Sequence, residues 1–575
     1  MPDPSKVRDA LGALIVMVVV LALAVPRTAL GPQAGDSSEL VLVALKGTLA
    51  HPPGYPLFSL LLEGAVALSP ANPFLTCALV SAALQALAAA LLFVVASRSA
   101  RDPVLGASVV LMWLAAPGTL VDATMAEVFA LHHVVALVLT GLCLYMLEHA
   151  PSARALAALG LVCGLAGAHH PMIVLWAPLP LVVLWRAARA ATPATVPRLA
   201  GSFVVALVVG LSPYLLLPMR FAHAPFFAFG HVEDLGDVLA HALRQDYGTL
   251  ALNANVRGAS AWSAYTLALL RTAPLACLAV VLALVVAAGR RASAHVALAA
   301  LVLLHVAFAV ALKTGAPGAL DFHALRFLPS IALPLLLAGV AALSALVPRR
   351  RFARLLALTL ALPSALALPA ALAEADARHD TADAELVTAL DARAPLGAVV
   401  LDGLDETSFA LALEDALGKR PDRVHVVVGQ LDAWWARERL RARWPFLRGL
   451  DVDAPSWLEP VARAALADGR RVLAAPGVRA PEGFTVVAFG PFAEWLADPV
   501  SDHERVERAR AACAAIPPSV ARIDPARTAA IALRDQAWLA PLLLVPDGQR
   551  AAFAAAVERF DAGDQEGARA ACGVR

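Results

Sequence analysis

The sequence predicts an α-helical polytopic membrane protein of about eleven spans followed by a soluble α/β domain, and three observations carry that prediction. Of 575 residues, 60% are hydrophobic and 16% charged, with a mean hydropathy of +0.71, which lies outside the range of a soluble globular chain. The apolar residues fall in runs long enough to cross a bilayer, which takes roughly 17 to 25 residues. From about Leu372 onward charged residues become frequent, and short apolar runs alternate with amphipathic stretches as in an α/β fold. A net charge of +1 gives no field for nucleic acid, so the basic residues are read by position.

The candidate spans are 10–30, 74–97, 103–118, 127–147, 154–169, 171–187, 199–218, 263–288, 293–313, 325–347 and 352–371. The first follows Lys6 and Arg8 and reads as an uncleaved signal-anchor. The stretch Tyr55 to Leu68 is short for a span and fits a helix lying at the interface. Left uncounted, it puts Arg98/Arg101, Arg186/Arg189/Arg198, Arg290/Arg291 and Arg349/Arg350/Arg351/Arg354 on the cytoplasmic side with the N-terminus. The expected organisation is a membrane domain over 1–371, with outer loops 31–73 and 220–262, and an extracytoplasmic domain over 372–575. That places the protein in the inner or plasma membrane.

The same topology collects the unusual polar residues on the opposite face: Asp36, Glu39, Lys46 and His51; Asp122 and Glu127; His169 and His170; Arg220, His223 and His231; Asp321, His323 and Arg326. Ionisable groups gathered at a membrane face define a candidate site. Asp36 and Glu39 are three residues apart and so share a helical face, an arrangement suited to handling a proton or a cation. Leu235 to Tyr247 has helical spacing within its loop. In the soluble domain the sequence predicts apolar runs at Ala398–Leu401, Val424–Val428, Val472–Ala474 and Phe484–Phe489. Helices are expected around Phe409–Leu417 and through Trp434 and Trp435, both read as core, and a helical end from Asp524. Cys77, Cys143, Cys163 and Cys277 sit in apolar runs as small core residues, whereas Cys513 and Cys572 suit a disulfide only outside the cytoplasm.

Several stretches together resemble the protein O-mannosyltransferase-like membrane family, long catalogued as a domain of unknown function, in the GT-C glycosyltransferase superfamily. They are Asp36-Ser37-Ser38-Glu39-Leu40; His51-Pro52-Pro53-Gly54-Tyr55-Pro56-Leu57; Ala126-Glu127-Val128-Phe129-Ala130-Leu131; Gly164-Leu165 through His169-His170; and Leu211-Ser212-Pro213-Tyr214 to Leu217-Pro218-Met219-Arg220. Arg244-Gln245-Asp246-Tyr247-Gly248, Asp402-Gly403-Leu404-Asp405-Glu406-Thr407 and Lys419-Arg420-Pro421-Asp422 extend it. Ser38 stands where the family usually has Gly, a small-for-small change. The resemblance implies a GT-C fold and transfer of a hexose such as mannose from a polyprenyl-phosphate donor to an exported protein or glycan. Asp36 and Glu39 match the first-loop acids.

The chemistry agrees. A hydroxyl acceptor needs a positioned carboxylate to take its proton. A phosphate leaving group is already an anion and needs cations and hydrogen-bond donors instead. His51, Glu127, His169, His170, Arg220 and Arg326 are the candidates for binding donor phosphate or sugar. One attacking-side carboxylate fits a single inverting displacement. No cofactor is required, and a divalent metal stays open without a supporting motif, since the adjacent histidines diverge and no Asp-x-Asp accompanies them.

Structural roles compete with each assignment. Asp36 and Glu39 suit a capping box, His51 a turn before Pro, and Glu127 a helix N-terminus. His169-His170-Pro171 suits a hairpin turn, Arg326 can snorkel, and Asp402 and Asp405 follow a strand as loop residues. Two other functions compete as well: a transporter of lipid-linked glycans, which would carry its charges at mid-membrane, and a non-catalytic envelope scaffold.

Overall fold

The computed structural model describes residues 4–33, 35–149, 152–248, 259–279, 293–314, 325–379, 382–403, 405–475, 477–515, 544–561 and 564–572. It divides into two compact units. The first comprises Met1–Leu30, Leu49–His223 and Val232–Arg378, the second Gly31–Thr48, Ala224–His231 and His379–Arg575.

The first unit is helical. Among the described residues, seven of its helices are long and apolar enough to cross a membrane: Lys6–Arg27, Pro73–Ala100, Phe129–Glu148, Val196–His223, Ser293–Ala311, Leu328–Leu346 and Arg350–Glu374. The chain is therefore an integral membrane protein. Pro56–Leu68, Pro103–Leu114 and Ala153–Gly167 are shorter apolar helices. Part of the expected span 263–288 lies outside the described residues, and its visible portion begins as the Trp262–Thr272 helix. A two-residue antiparallel ladder joins strand β1 (Ala259–Ser260) to β2 (Lys313–Thr314).

Helix starts follow local chemistry. Pro73 and Pro103 occupy first turns, where no amide donor is needed, and the side chains of Asn72 and Asp102 accept from the Leu75 and Val104 amides. Burial then separates core helices from lipid-facing ones. In Leu328–Leu346, 89% of the apolar window is buried, against 6% in Val196–His223. The central helix is tied by polar contacts as well: Trp113 Nε1 donates to the Pro329 carbonyl at 3.0 Å, and His133 Nε2 lies 3.0 Å from Ser330 Oγ. The Ala153–Gly167 and Val196–Leu211 helices approach so closely that a Cβ on Gly160 would strike the Phe203 carbonyl, and one on Gly164 the backbone of Leu207 and Gly210. Small residues four apart permit such backbone contact in a membrane.

The second unit contains the sheet. Strands β3 (Val399–Asp402), β4 (Val424–Val427), β5 (Val472–Ala474), β6 (Thr485–Phe489) and β7 (Phe492–Leu496) lie in the order β4-β3-β5-β7-β6. β3 is parallel to β4 and β5, while β7 is antiparallel to β5 and β6. The two-residue side-chain period sorts the strands into two cores. Val400, Leu473 and Phe492 join Leu411, Phe553, Cys513 and Cys572 on one side. Val399, Leu401, Val426 and Trp495 pack with Trp457 and Val461 on the other. Cys513 and Cys572 form a disulfide. The four predicted strands and the helices Asp405–Ala416 and Trp434–Arg443 are present. β7 is an addition, and one expectation is corrected: Trp434 is 52% exposed rather than core, because its helix turns that edge outward to His231, 4.8 Å away. Of the helical end, Asp547–Asp561 and Gln565–Ala571 are helices, whereas 524–543 lie outside the described residues.

The close helix pair yields a test. Gly164→Val forces backbone apart and should lower stability by about 1–3 kcal/mol, read as a lower thermal midpoint in detergent. Gly201→Ala, with open space at its Cβ, should leave the midpoint unchanged or raise it. Equal midpoints for Gly164→Val and the parent chain contradict the packing.

Candidate functional site

In the first unit the motif His51–Pro56 makes a tight turn. The Gly54 amide donates to the His51 carbonyl at 2.7 Å, Gly54 has φ +87°, and Tyr55 follows at φ 41°. A Cβ on Gly54 would also meet Leu217 at 3.1 Å and the His241 ring at 3.2 Å, so both conformation and space require glycine. His241, from the Leu235–Ala242 helix, donates through Nε2 to the Ala50 carbonyl at 3.0 Å. That bond ties the second outer loop to the start of the turn. Burial holds the His241 imidazole down to about 4, with its bond to Ala50 opposing and His51 adding to the shift.

Tyr55 is the hub that this turn creates. Its hydroxyl lies 3.1 Å from His51 Nε2, and its ring stacks on His170 with centroids 5.8 Å apart. His169 lies 6.5 Å from the same ring and donates through Nε2 to the Val128 carbonyl at 3.0 Å. His170 Nδ1 accepts from the Met172 amide at 3.1 Å, capping the short helix Pro171–Trp176 and leaving the ring proton on Nε2. His170 thus takes up the turn role and still contributes a ring face to the cluster.

Phe129 extends the cluster. Its ring lies 5.2 Å from His170, and the Arg326 guanidinium sits 5.4 Å above it. Arg326 also meets Glu127 at 3.5 Å, while Glu127 accepts from the Val128 amide at 2.9 Å. Electrostatics mark where charge concentrates. The His170 pKa lies well below the usual histidine value, first through burial and then through His169, Arg244, Arg326 and His51. Burial and Glu127 push the Asp122 carboxyl well above the usual carboxylate range, with Arg326 opposing. Guanidinium and imidazole N–H donors are the groups that chemistry uses to bind an anion with several oxygens.

Of the predicted residues, the structure brings together His51, Glu127, His169, His170 and Arg326. Arg220 is 6% exposed and forms a two-point ion pair with Glu63, Nη2 to Oε2 at 2.8 Å and Nη1 to Oε1 closer still. Asp321 and His323 lie outside the described residues. Tyr55, Arg244, His132, Trp176 and Glu63 were not among the predicted site residues. Tyr55 and Arg244 stand inside quoted motifs, which is the signal that names them. His132 lies 5.3 Å from His170 and 5.1 Å from Trp176, and Trp176 lies 4.4 Å from His305.

Asp36 and Glu39 belong to the second unit. The helix Ser37–Lys46 starts after Asp36 and ends at Gly47, whose φ of 62° and amide bond to the Val43 carbonyl close it. Asp36 occupies the N-cap position, yet its carboxylate makes no capping hydrogen bond, so the capping-box role is not taken up. Both acids are buried, Asp36 at 7% and Glu39 at 0% exposure.

Residues 36–192 match the family described as "Protein O-mannosyl-transferase TMEM260 N-terminal domain", a stretch that opens on Asp36 and contains the turn, Glu127 and the paired histidines. Over this stretch the chain is similar to that N-terminal domain. Mouse protein O-mannosyl-transferase TMEM260 is 29% identical over 267 residues, 44% of this chain and 37% of that protein, so the match spans less than half of the curated relative. Among solved structures, ArnT from Cupriavidus metallidurans bound to undecaprenyl phosphate is 16% identical with a TM-score of 0.48, over 83% of this chain and 94% of that one. The oligosaccharyltransferase AglB from Archaeoglobus fulgidus, in complex with an inhibitory peptide and a dolichol-phosphate, is 13% identical with a TM-score of 0.47, over 82% and 70%.

The His241 contact yields a pH test. Its folded pKa of about 4 lies below the ordinary 6.5, so its contribution to stability is fully present above 6.5 and is lost as pH falls toward 4. His241→Gln should flatten that part of the profile of thermal midpoint against pH. An unchanged profile contradicts neutral docking on Ala50.

Proposed function

We propose that this chain is a membrane glycosyltransferase that moves a hexose such as mannose from a polyprenyl-phosphate donor to a hydroxyl of an exported protein or glycan. The observation that supports it best is that Tyr55 joins His51 to His170 inside the stretch that the family match covers, with Phe129 joining His170 to Arg326. In this reading Arg326, Arg244, His51 and His170 hold the donor phosphate and stabilise it as it leaves, and Glu127 fixes Arg326. Asp36 takes the acceptor hydroxyl proton as the new glycosidic bond forms, and Glu39 orients the acceptor. The hydroxyl oxygen attacks the anomeric carbon, the carbon–phosphate oxygen bond breaks, and the electron pair departs on the phosphate, so configuration inverts in one displacement.

The proposal includes eleven spans, a cytoplasmic N-terminus, and a domain boundary near residue 371 with the C-terminal domain outside. The Cys513–Cys572 disulfide supports that placement, because such bonds persist in oxidising compartments. Arg220 serves here as the tie to Glu63 that seats the Pro56–Leu68 helix.

Mass spectrometry of exported proteins from a deletion strain complemented with wild type or Asp36→Asn tests the assignment. Removing a general base costs typically about 10²–10⁴-fold, so the sugar should disappear from its acceptors while the variant accumulates in the membrane at normal levels. Wild-type glycosylation by Asp36→Asn contradicts the base.

A further inference from the structure

The strap Ala224–His231 belongs to the same unit as the acid-bearing loop and the C-terminal sheet, and the Trp434–Arg443 helix grips it along its length. Arg439 donates from Nη1 to the Ala228 carbonyl at 2.5 Å and from Nη2 to the Gly230 carbonyl at 3.0 Å. The Arg443 guanidinium lies 3.4 Å from the Phe226 ring centre, and His231 meets Trp434 edge-on at 4.8 Å. Backbone carbonyls in an irregular segment need partners, and a planar guanidinium can serve two at once. Arg439 itself rests over Trp435 at 4.6 Å. Burial pushes its pKa down to about 10 from 12.5, the signature of a desolvated cation spent on neutral acceptors.

The strap in turn touches the acid-bearing loop. Thr48 Oγ1 donates to the Ala224 carbonyl at 3.0 Å, and Lys46 Nζ sits 5.9 Å from the Phe227 ring centre. The Asp405–Ala416 helix supports both segments: it packs against Ser37–Lys46, and its Phe409 meets Phe229 edge-on at 4.9 Å. We infer that Arg439 is a positioning residue: by holding the Ala228 and Gly230 carbonyls it fixes the strap, and through the strap the placement of the helix that carries Asp36 and Glu39. The C-terminal domain then acts as the mount of the acids, an inference that rests on their proposed catalytic role.

Hydrogen–deuterium exchange on the full chain in nanodiscs, paired with steady-state sugar transfer, tests this. In Arg439→Ala, peptides covering 224–231 and 37–46 should exchange at least tenfold faster, while β3, β4 and β5 keep their protection. Turnover should fall at least tenfold, with the donor KM within twofold of wild type. Arg439→Lys keeps a cation but cannot fork to both carbonyls, so it should show the same local loosening. It decides the matter if the alanine variant loosens throughout. Unchanged exchange over 37–46 in the variant that keeps its sheet protected overturns the inference, whatever the activity. Local loosening in a protein whose wild type transfers no sugar overturns the catalytic reading and leaves the mount standing.

Discussion

The structure depends on burying arginine and histidine side chains together in the membrane domain. Arg244, Arg326, His51 and His169 all act on His170, in a region where a charge without a counter-ion is costly. The surroundings meet that demand in ways visible residue by residue. Histidines spend one nitrogen on backbone, as His169 does on Val128 and His241 on Ala50. Arg326 spreads over Phe129 and meets Glu127. Tyr55 and Phe129 supply the aromatic faces that link these groups. The glycine at position 54 matters for the same reason, since it alone lets the chain turn sharply enough to set Tyr55 between His51 and His170.

Much of this was legible in the sequence because hydrophobic run length and motif spacing are strong signals. Each of the eleven expected spans includes helix where it is described, and the short stretch Tyr55 to Leu68 holds a 13-residue helix. Strand starts and ends in the soluble domain were readable to within a residue or two, because β3 and β5 are buried on both faces and read as continuous apolar runs. β7 was not, because Glu494 breaks its pattern. That carboxylate is 2% exposed and is held by Arg471 and by Arg508, the latter at 2.6 Å, a pairing between segments that no local window reports.

The residues that cluster were legible in the sequence, and their wiring was not. His51, Glu127, His169, His170 and Arg326 were chosen by residue type and predicted sidedness, and side-chain contacts link them. Tyr55 stands in the His51–Pro56 motif, but its role as the link between His51 and His170 depends on the fold. The Arg220–Glu63 pair escaped because its partners are 157 residues apart. The helix of Asp36 and Glu39 groups with the C-terminal domain, a grouping that follows from the strap and from Phe409 rather than from any spacing between the acids.

The most direct measurement is titration of the purified protein with a polyprenyl phosphate, following intrinsic tryptophan fluorescence, with a neutral polyprenol as control. Saturable binding to wild type, absent for the polyprenol and weakened at least tenfold in an Arg244→Ala, Arg326→Ala double variant that retains its thermal midpoint, is the predicted result. Equal affinity for phosphate and alcohol, or undiminished binding by the double variant, would contradict the claim that this cationic cluster receives the donor's phosphate.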